Sequence, residues 1–318
     1  MAGCGDGDGG SGAPIDTETD DAGGDADADA GGDAGSDSDS DTDGDTDTDA
    51  FDCSAVPSAP LLIEQVDSAI AFHDVAFDNE GFLVGHDGYS SLFKTASNGS
   101  SGVFVPGFSW INGMDYLPGG DLIAATQNEG LSRITSLGTH WSIAPSLSGL
   151  YGVTVGPDGM VYAADDNSVY RVDPDTGDVE TLIPSLSARV VEFTPDLTQM
   201  YIGAVGMGMI YVADLDDEFN LVGSPTVFVT LTDCSDMGGL GVDICGNLYV
   251  ECHEFAELRR ITPDGTVSVY HDWLDNEYGH GLEWGSGIAG WDDRSLYLPQ
   301  PYNGNTVVRV QIGVPYRE

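Results

Sequence analysis

Short runs alternating between apolar and polar residues follow one another from residue 61 to residue 311, punctuated by Gly, Pro, Asp and Asn. Period-two runs predict half-buried strands, and the punctuation predicts tight turns between them. No stretch of ten or more residues carries a helical period. The runs fall into groups that open on a common phrase: a polar or aromatic residue, a glycine or small residue, alternating apolar positions, then a turn. The phrase starts at His73, Asn112, Tyr151, Arg189, Gly238 and His280, at intervals of 38 to 49 residues. In the third group the runs 152–155, 160–164, 168–172 and 178–183 are divided by turn residues at 157–159, 165–167 and 173–177. Four strands in a period near 40 predict one blade of a β-propeller.

The sixth group is one strand short, with runs at 281–284, 295–298 and 306–312 only. An unused apolar run at 61–66 precedes the first group. Placing it as the outer strand of the last blade closes the ring and removes two exposed edges. The expected fold is therefore an all-β, six-bladed propeller over residues 56–318. A two-sheet sandwich of the same strands is the alternative, and the period argues against it.

Residues 1–55 read differently. The first 52 residues hold eighteen acidic residues and no Lys or Arg, with Phe51 as the one aromatic. Such a segment has too little apolar surface to offset its ordering entropy, so it is expected to be a disordered, extended tether. Its first four residues end in Cys4, and this small-small-Cys pattern resembles the lipobox of bacterial lipoproteins. That resemblance implies a signal peptide, lipidation of Cys4 and an extracytoplasmic, membrane- or surface-anchored protein. The alternating Asp run at 37–49 resembles the start of a calcium loop but has no closing Glu, and it reads as a solvated spacer.

Beyond the tether, 36 acidic residues face nine Lys and Arg, a balance near −27. That disfavours nucleic acid and anionic membrane surfaces, which are bound through basic residues. Contact with a membrane is then expected only through a lipid anchor. Four further cysteines, Cys53, Cys234, Cys245 and Cys252, allow two disulfides in an exported body. Cys234 and Cys252 belong to one face of blade five. Cys245 lies in the turn at the opposite face, where Cys53 is a plausible partner; Cys234–Cys245 competes.

The start of each inner strand faces one mouth of the central channel. The expected ring is His73, Asn112, Tyr151, Arg189, Gly238 and His280, a concave polar place for a ligand. His73, Asn112 and His280 are candidate ligands for one divalent metal, calcium or zinc, with Asp74 or Glu283 orienting an imidazole. Tyr151 and Arg189 are candidate ligand-binding residues. Polar side chains at a propeller mouth also serve simply to bond loop backbone and water. The ends of the second strands add His86, Gln127, Asn128, Asp165, Asp166, His253 and Gln300 to the same face. Trp110, Trp141 and Trp273 are candidates for an aromatic rim. No nucleophile elbow, phosphate loop or zincin helix is present. Residues 285–290 match a dinucleotide glycine pattern in letters alone, since no helix pattern follows.

The blade phrases resemble the six-bladed superfamily of gluconolactonases, regucalcin (senescence-marker proteins), strictosidine-synthase-like and NHL-repeat proteins. The phrase at 112–116 is similar to the family's Asn-Gly-Leu-Asp-Trp, whose Asn ligates the metal. The phrase at 239–250 is similar to one whose leading Asp is metal ligand and proposed base. Gly238 stands at that Asp's place, with Asp236 two residues earlier, and His73 stands where the first blade supplies a ligand. The expected protein is a monomeric, extracytoplasmic propeller binding a small molecule, carbohydrate or protein. A metal-dependent lactonase or esterase is the alternative that the resemblance implies.

Overall fold

The strand that completes the last blade comes from the N-terminal side of the chain. Leu62–Val66 runs antiparallel to Thr306–Gln311, with Leu62 opposite Gln311 and Val66 opposite Val307. The computed structural model describes residues 51–126, 129–255, 257–272, 280–301 and 304–317. Cys4 and the acidic stretch to residue 50 lie outside them, as do Gln127, Asn128 and Trp273.

Six four-stranded antiparallel sheets make up the body, as the period predicts. Five are consecutive meanders, and the sixth takes its outer strand from Leu62–Val66. The inner strands are Val75–Phe77, Ile111–Tyr116, Val153–Val155, Ala188–Phe193, Met237–Val242 and Glu283–Trp284. Second strands such as Leu122–Thr126, Val161–Ala164 and Ser295–Gln300 are buried along their whole length. Both faces of each blade are covered by neighbours, so these strands read as continuous apolar runs. Outer strands such as Val179–Pro184 and Val267–Asp272 are largely exposed.

Six apolar clusters fill the six inter-blade spaces. The one between blades two and three is built on Ile123, Leu131, Leu150, Val161 and Val172. Ring closure is made by Ala69, Val75, Leu83, Trp291, Tyr297 and Val307 between blades six and one. Each fully buried Leu, Ile or Val stabilises by roughly 1.5–3 kcal/mol.

The glycine of the repeated phrase has a steric cause. Inner strands converge on the axis, and a Cβ on Gly113 would sit 2.7 Å from the Tyr151 carbonyl oxygen. One on Gly239 would sit 2.7 Å from the Leu282 nitrogen. The axis is also stitched by side chains. Asp74 accepts the Met114 amide at 2.8 Å, and Asp115 accepts the Val155 amide at 2.6 Å. Thr154 donates to the Val191 carbonyl at 2.6 Å. Each bond joins one blade to the next.

The cysteines pair as Cys53–Cys245 and Cys234–Cys252. The competing Cys234–Cys245 pairing is not the one formed. Residues 51–55 are already joined to the body, for Phe51 packs against the cluster between blades five and six. Cys53 sits in a short 3-10 turn, Cys53–Ala55, capped by the Asp52 side chain.

Candidate functional site

The ring expected from strand starts is formed: His73, Asn112, Tyr151, Arg189, Gly238 and His280 all line one cavity of about 120 Å³. Its centre is a pair of imidazoles. His73 Nδ1 and His280 Nδ1 lie 3.0 Å apart, and the rings meet edge to face. His73 Nε2 is buried and has no hydrogen-bond partner among the described residues. Phe72 and Trp110 wall the His73 side, with ring centroids 4.5 and 5.0 Å from it. The ring of His253 stands 4.3 Å from that of His280.

Arg189 reaches across this mouth from blade four. Its guanidinium donates to Asp236 at 2.6 Å, lies 3.4 Å from His280 Nδ1, and covers the Tyr151 ring at 5.5 Å. Tyr151 donates its hydroxyl to Asp166 at 3.3 Å. The backbone register slips between Met237 and Leu240, and Asp236 stands just before that irregularity, turned to Arg189. Burial, and after it the Arg189 charge, hold His73 down to about 3. Burial and the neighbouring imidazoles, with Arg189, hold His280 down to about 2. Both imidazoles are therefore neutral at ordinary pH.

Below the ring lies a layer of carboxyls. Burial pushes Asp74 up to about 8 and Asp115 up to about 7, and it raises Glu283 well above the usual range. The role expected for Asp74, orienting an imidazole, is not its role here. Its two oxygens accept the amides of Val75 and Met114. Glu283 accepts the Trp284 amide at 3.2 Å.

A divalent ion on His73, Asn112 and His280 can be tested against these contacts. The Asn112 amide is taken up by protein, accepting from Trp110 Nε1 at 2.8 Å and donating to the Leu150 carbonyl at 2.7 Å. Among the described residues no three His, Cys, Asp or Glu side chains form a metal-holding group. Calcium takes six to eight oxygens, whereas the ring residues present imidazole and guanidinium nitrogens and the carboxylates below accept backbone amides. Zinc accepts imidazoles, but His73 and His280 turn their Nδ1 atoms to each other. At about 4 Å and an effective dielectric near 20, a unit of like charge beside the guanidinium costs about 4 kcal/mol before the paired Asp236 carboxylate offsets part of it. The residues present do not fit a divalent ion.

The opposite end of the channel was not foreseen. A cavity of about 370 Å³ opens there, and Asp115 and Glu283 line both it and the upper cavity. The C-terminal residues cross this end. Val314 accepts from Trp284 Nε1, Pro315 accepts the Ile244 amide, and Tyr316 bridges to Asp243. Buried Arg317 pairs with buried Glu192 at 2.7 Å, and the Tyr316 hydroxyl donates to the same carboxylate. The sequence held one signal for the carboxyl layer. Asp115, Glu192 and Glu283 each stand three residues after a ring position.

Other candidates take structural places. His86 is buried, accepts the Gly88 amide and bonds the Phe108 carbonyl. Asp165 caps a turn through Asn167 and Ser168. Trp141 is exposed on an outer strand, away from the mouth, beside Arg133. The glycine pattern at 285–290 is irregular loop, and Gly206 and Gly208 occupy a tight turn with positive φ.

Residues 148–271, blades three to five, match the family described as SMP-30/Gluconolactonase/LRE-like region. Among solved structures the chain is similar to a gluconolactonase from Xanthomonas campestris. Identity is 15%, TM-score 0.65, covering 80% of this chain and 89% of that one. It is similar to a calcium-binding protein, regucalcin, from Agrobacterium tumefaciens, at 15% identity and TM-score 0.67, covering 81% and 96%. An auxiliary nutrient binding protein from Bacteroides ovatus aligns at 12% identity and TM-score 0.62, covering 78% and 76%. No curated protein matches the chain in sequence. At these identities the likeness to solved structures is one of fold.

Proposed function

We propose that this protein is a ligand-binding propeller whose site is the channel mouth at His73, Tyr151, Arg189 and His280. The observation that carries the reading is the mouth itself. It combines a cavity, a fixed guanidinium, two neutral imidazoles and an aromatic wall within reach of one small molecule. The fold alone does not choose, since it serves a lactonase in one similar structure and nutrient binding in another. The mouth residues favour binding, because His73 and His280 turn their Nδ1 atoms to each other and the Asn112 amide is taken up by Trp110 and Leu150. The two disulfides and the lipobox-like start favour an extracytoplasmic protein anchored through Cys4. The acidic stretch then serves as its stalk. A monomer acting on a small molecule or carbohydrate, without nucleic acid, suits the charge.

Saturation-transfer NMR with a panel of sugars, sugar lactones and small carboxylic acids tests this. A ligand that binds the wild type and is lost in Tyr151→Ala and Arg189→Met supports the reading. Metal-dependent turnover of a lactone, or ligands indifferent to both substitutions, overturns it.

A further inference from the structure

Basic residues are scarce in this chain, nine Lys and Arg in 318 residues, and one of them is set into the mouth of the channel. Arg189 is the one Lys or Arg among the residues lining the upper cavity. Its ion pair with Asp236 ties blade four to blade five, but unlike Arg317, which holds the tail, it also faces the cavity, between the Tyr151 ring, the His280 imidazole and the Asp236 carboxylate.

Three contacts describe what that position accepts. The guanidinium stands 3.4 Å from His280 Nδ1, the atom that also meets His73 Nδ1 at 3.0 Å. A cation entering between the imidazoles would therefore meet a fixed positive charge. On its other side the guanidinium holds a carboxylate, and the two partners differ in exposure. The Arg189 side chain is 13% exposed and Asp236 is 36% exposed. The cation is thus the buried partner, and the carboxylate approaches it from the solvent side. Guanidinium and carboxylate match in geometry as well as in charge. Burial raises the carboxyls beneath, which weakens the negative charge they set against the guanidinium.

Resting on the mouth as the ligand site, we infer that Arg189 is a built-in cation standing in the place of a metal ion, and that the ligand group received there is a carboxylate that displaces Asp236. The site then needs no metal to hold an anionic oxygen. Asp236 keeps the guanidinium paired while the mouth has no ligand.

Two measurements on the full-length chain test this. In the first, copper(II) is added and electron paramagnetic resonance reads nitrogen splitting, which reports imidazole ligands and is blind to the carboxylates of the acidic stretch. The wild type is expected to show no imidazole-bound ion that depends on His280. Arg189→Met is expected to gain one, and Arg189→Met with His280→Ala to lose it again. Arg189→Gln serves if the Met variant does not fold. An imidazole-bound ion in the wild type that disappears in His280→Ala overturns the inference. So does a folded Arg189 variant that gains none. In the second, the Arg189 side-chain nitrogen signal is followed as acetate is added to Asp236→Asn. It is expected to move at lower acetate than in the wild type, and an unmoved signal overturns the carboxylate assignment. If both measurements succeed and the ligand panel yields nothing, the ligand-binding function fails while the place of Arg189 stands. If copper binds the wild-type imidazoles, the reverse holds.

Discussion

His73 and His280 belong to the first and last blades, and they meet Nδ1 to Nδ1 at 3.0 Å. Such a contact is attractive only when one nitrogen carries a proton and the other does not. The two rings are therefore complementary tautomers sharing one Nδ1 proton across the seam where the propeller closes.

Nitrogen-15 NMR of the imidazoles is expected to show two neutral rings with inequivalent Nδ1 shifts. Burial and nearby charge hold His73 to about 3 and His280 to about 2, so neither should become imidazolium above about pH 4. Arg189→Met removes one of those charges and should raise both. A His73 that titrates near its ordinary value of about 6.5 would contradict the pairing.

Stability is expected to peak in mildly acidic solution. Asp74 and Asp115 are raised to about 8 and about 7, so their contribution is complete below their unfolded value near 3.8 and is lost as pH rises through the folded values. The depressed histidines act in the opposite sense. Their contribution is complete above about 6.5 and is lost as pH falls towards 3. Glu283→Gln keeps the acceptor for the Trp284 amide and removes one buried ionisation. It should raise the melting temperature by about 2–4 °C at pH 8 and leave it unchanged near pH 4. Calorimetry across this range decides, and a variant destabilised equally at both pH values would refute the account.

The C-terminal tail should act as a clasp. Removing Arg317 leaves Glu192 buried without its cation, which costs about 3–5 kcal/mol. Arg317→Ala should show that loss in urea unfolding, and adding Glu192→Gln should recover much of it. A loss below about 1 kcal/mol in the single variant would mean that the tail holds nothing.

The blades were legible because strand periodicity and turn residues are local properties. Even the closing pair, Leu62–Val66 with Thr306–Gln311, could be counted, since a ring with a missing strand leaves an edge bare. The same counting assigned each cysteine to a face, because each strand reverses direction, but it left Cys234–Cys245 competing, and the structure chose Cys53–Cys245 and Cys234–Cys252. The mouth residues followed too, His73 through His280, because inner strands all start at one end. What those side chains do there was not legible. Asn112 has the residue type and place of a metal ligand, and only the fold puts Trp110 and Leu150 on its amide.

The amino-acid sequence by itself determined six blades, their closure and the identity of the ring, because all three depend on short-range pattern repeated at a fixed period. Tertiary structure alone decided that Arg189 crosses the mouth to His280 and Asp236, and that Arg317 fastens the tail to Glu192 at the other end. Those contacts join residues 47, 91 and 125 positions apart. Their partners are chosen by the direction in which long side chains leave converging strands, and no period in the chain encodes that direction.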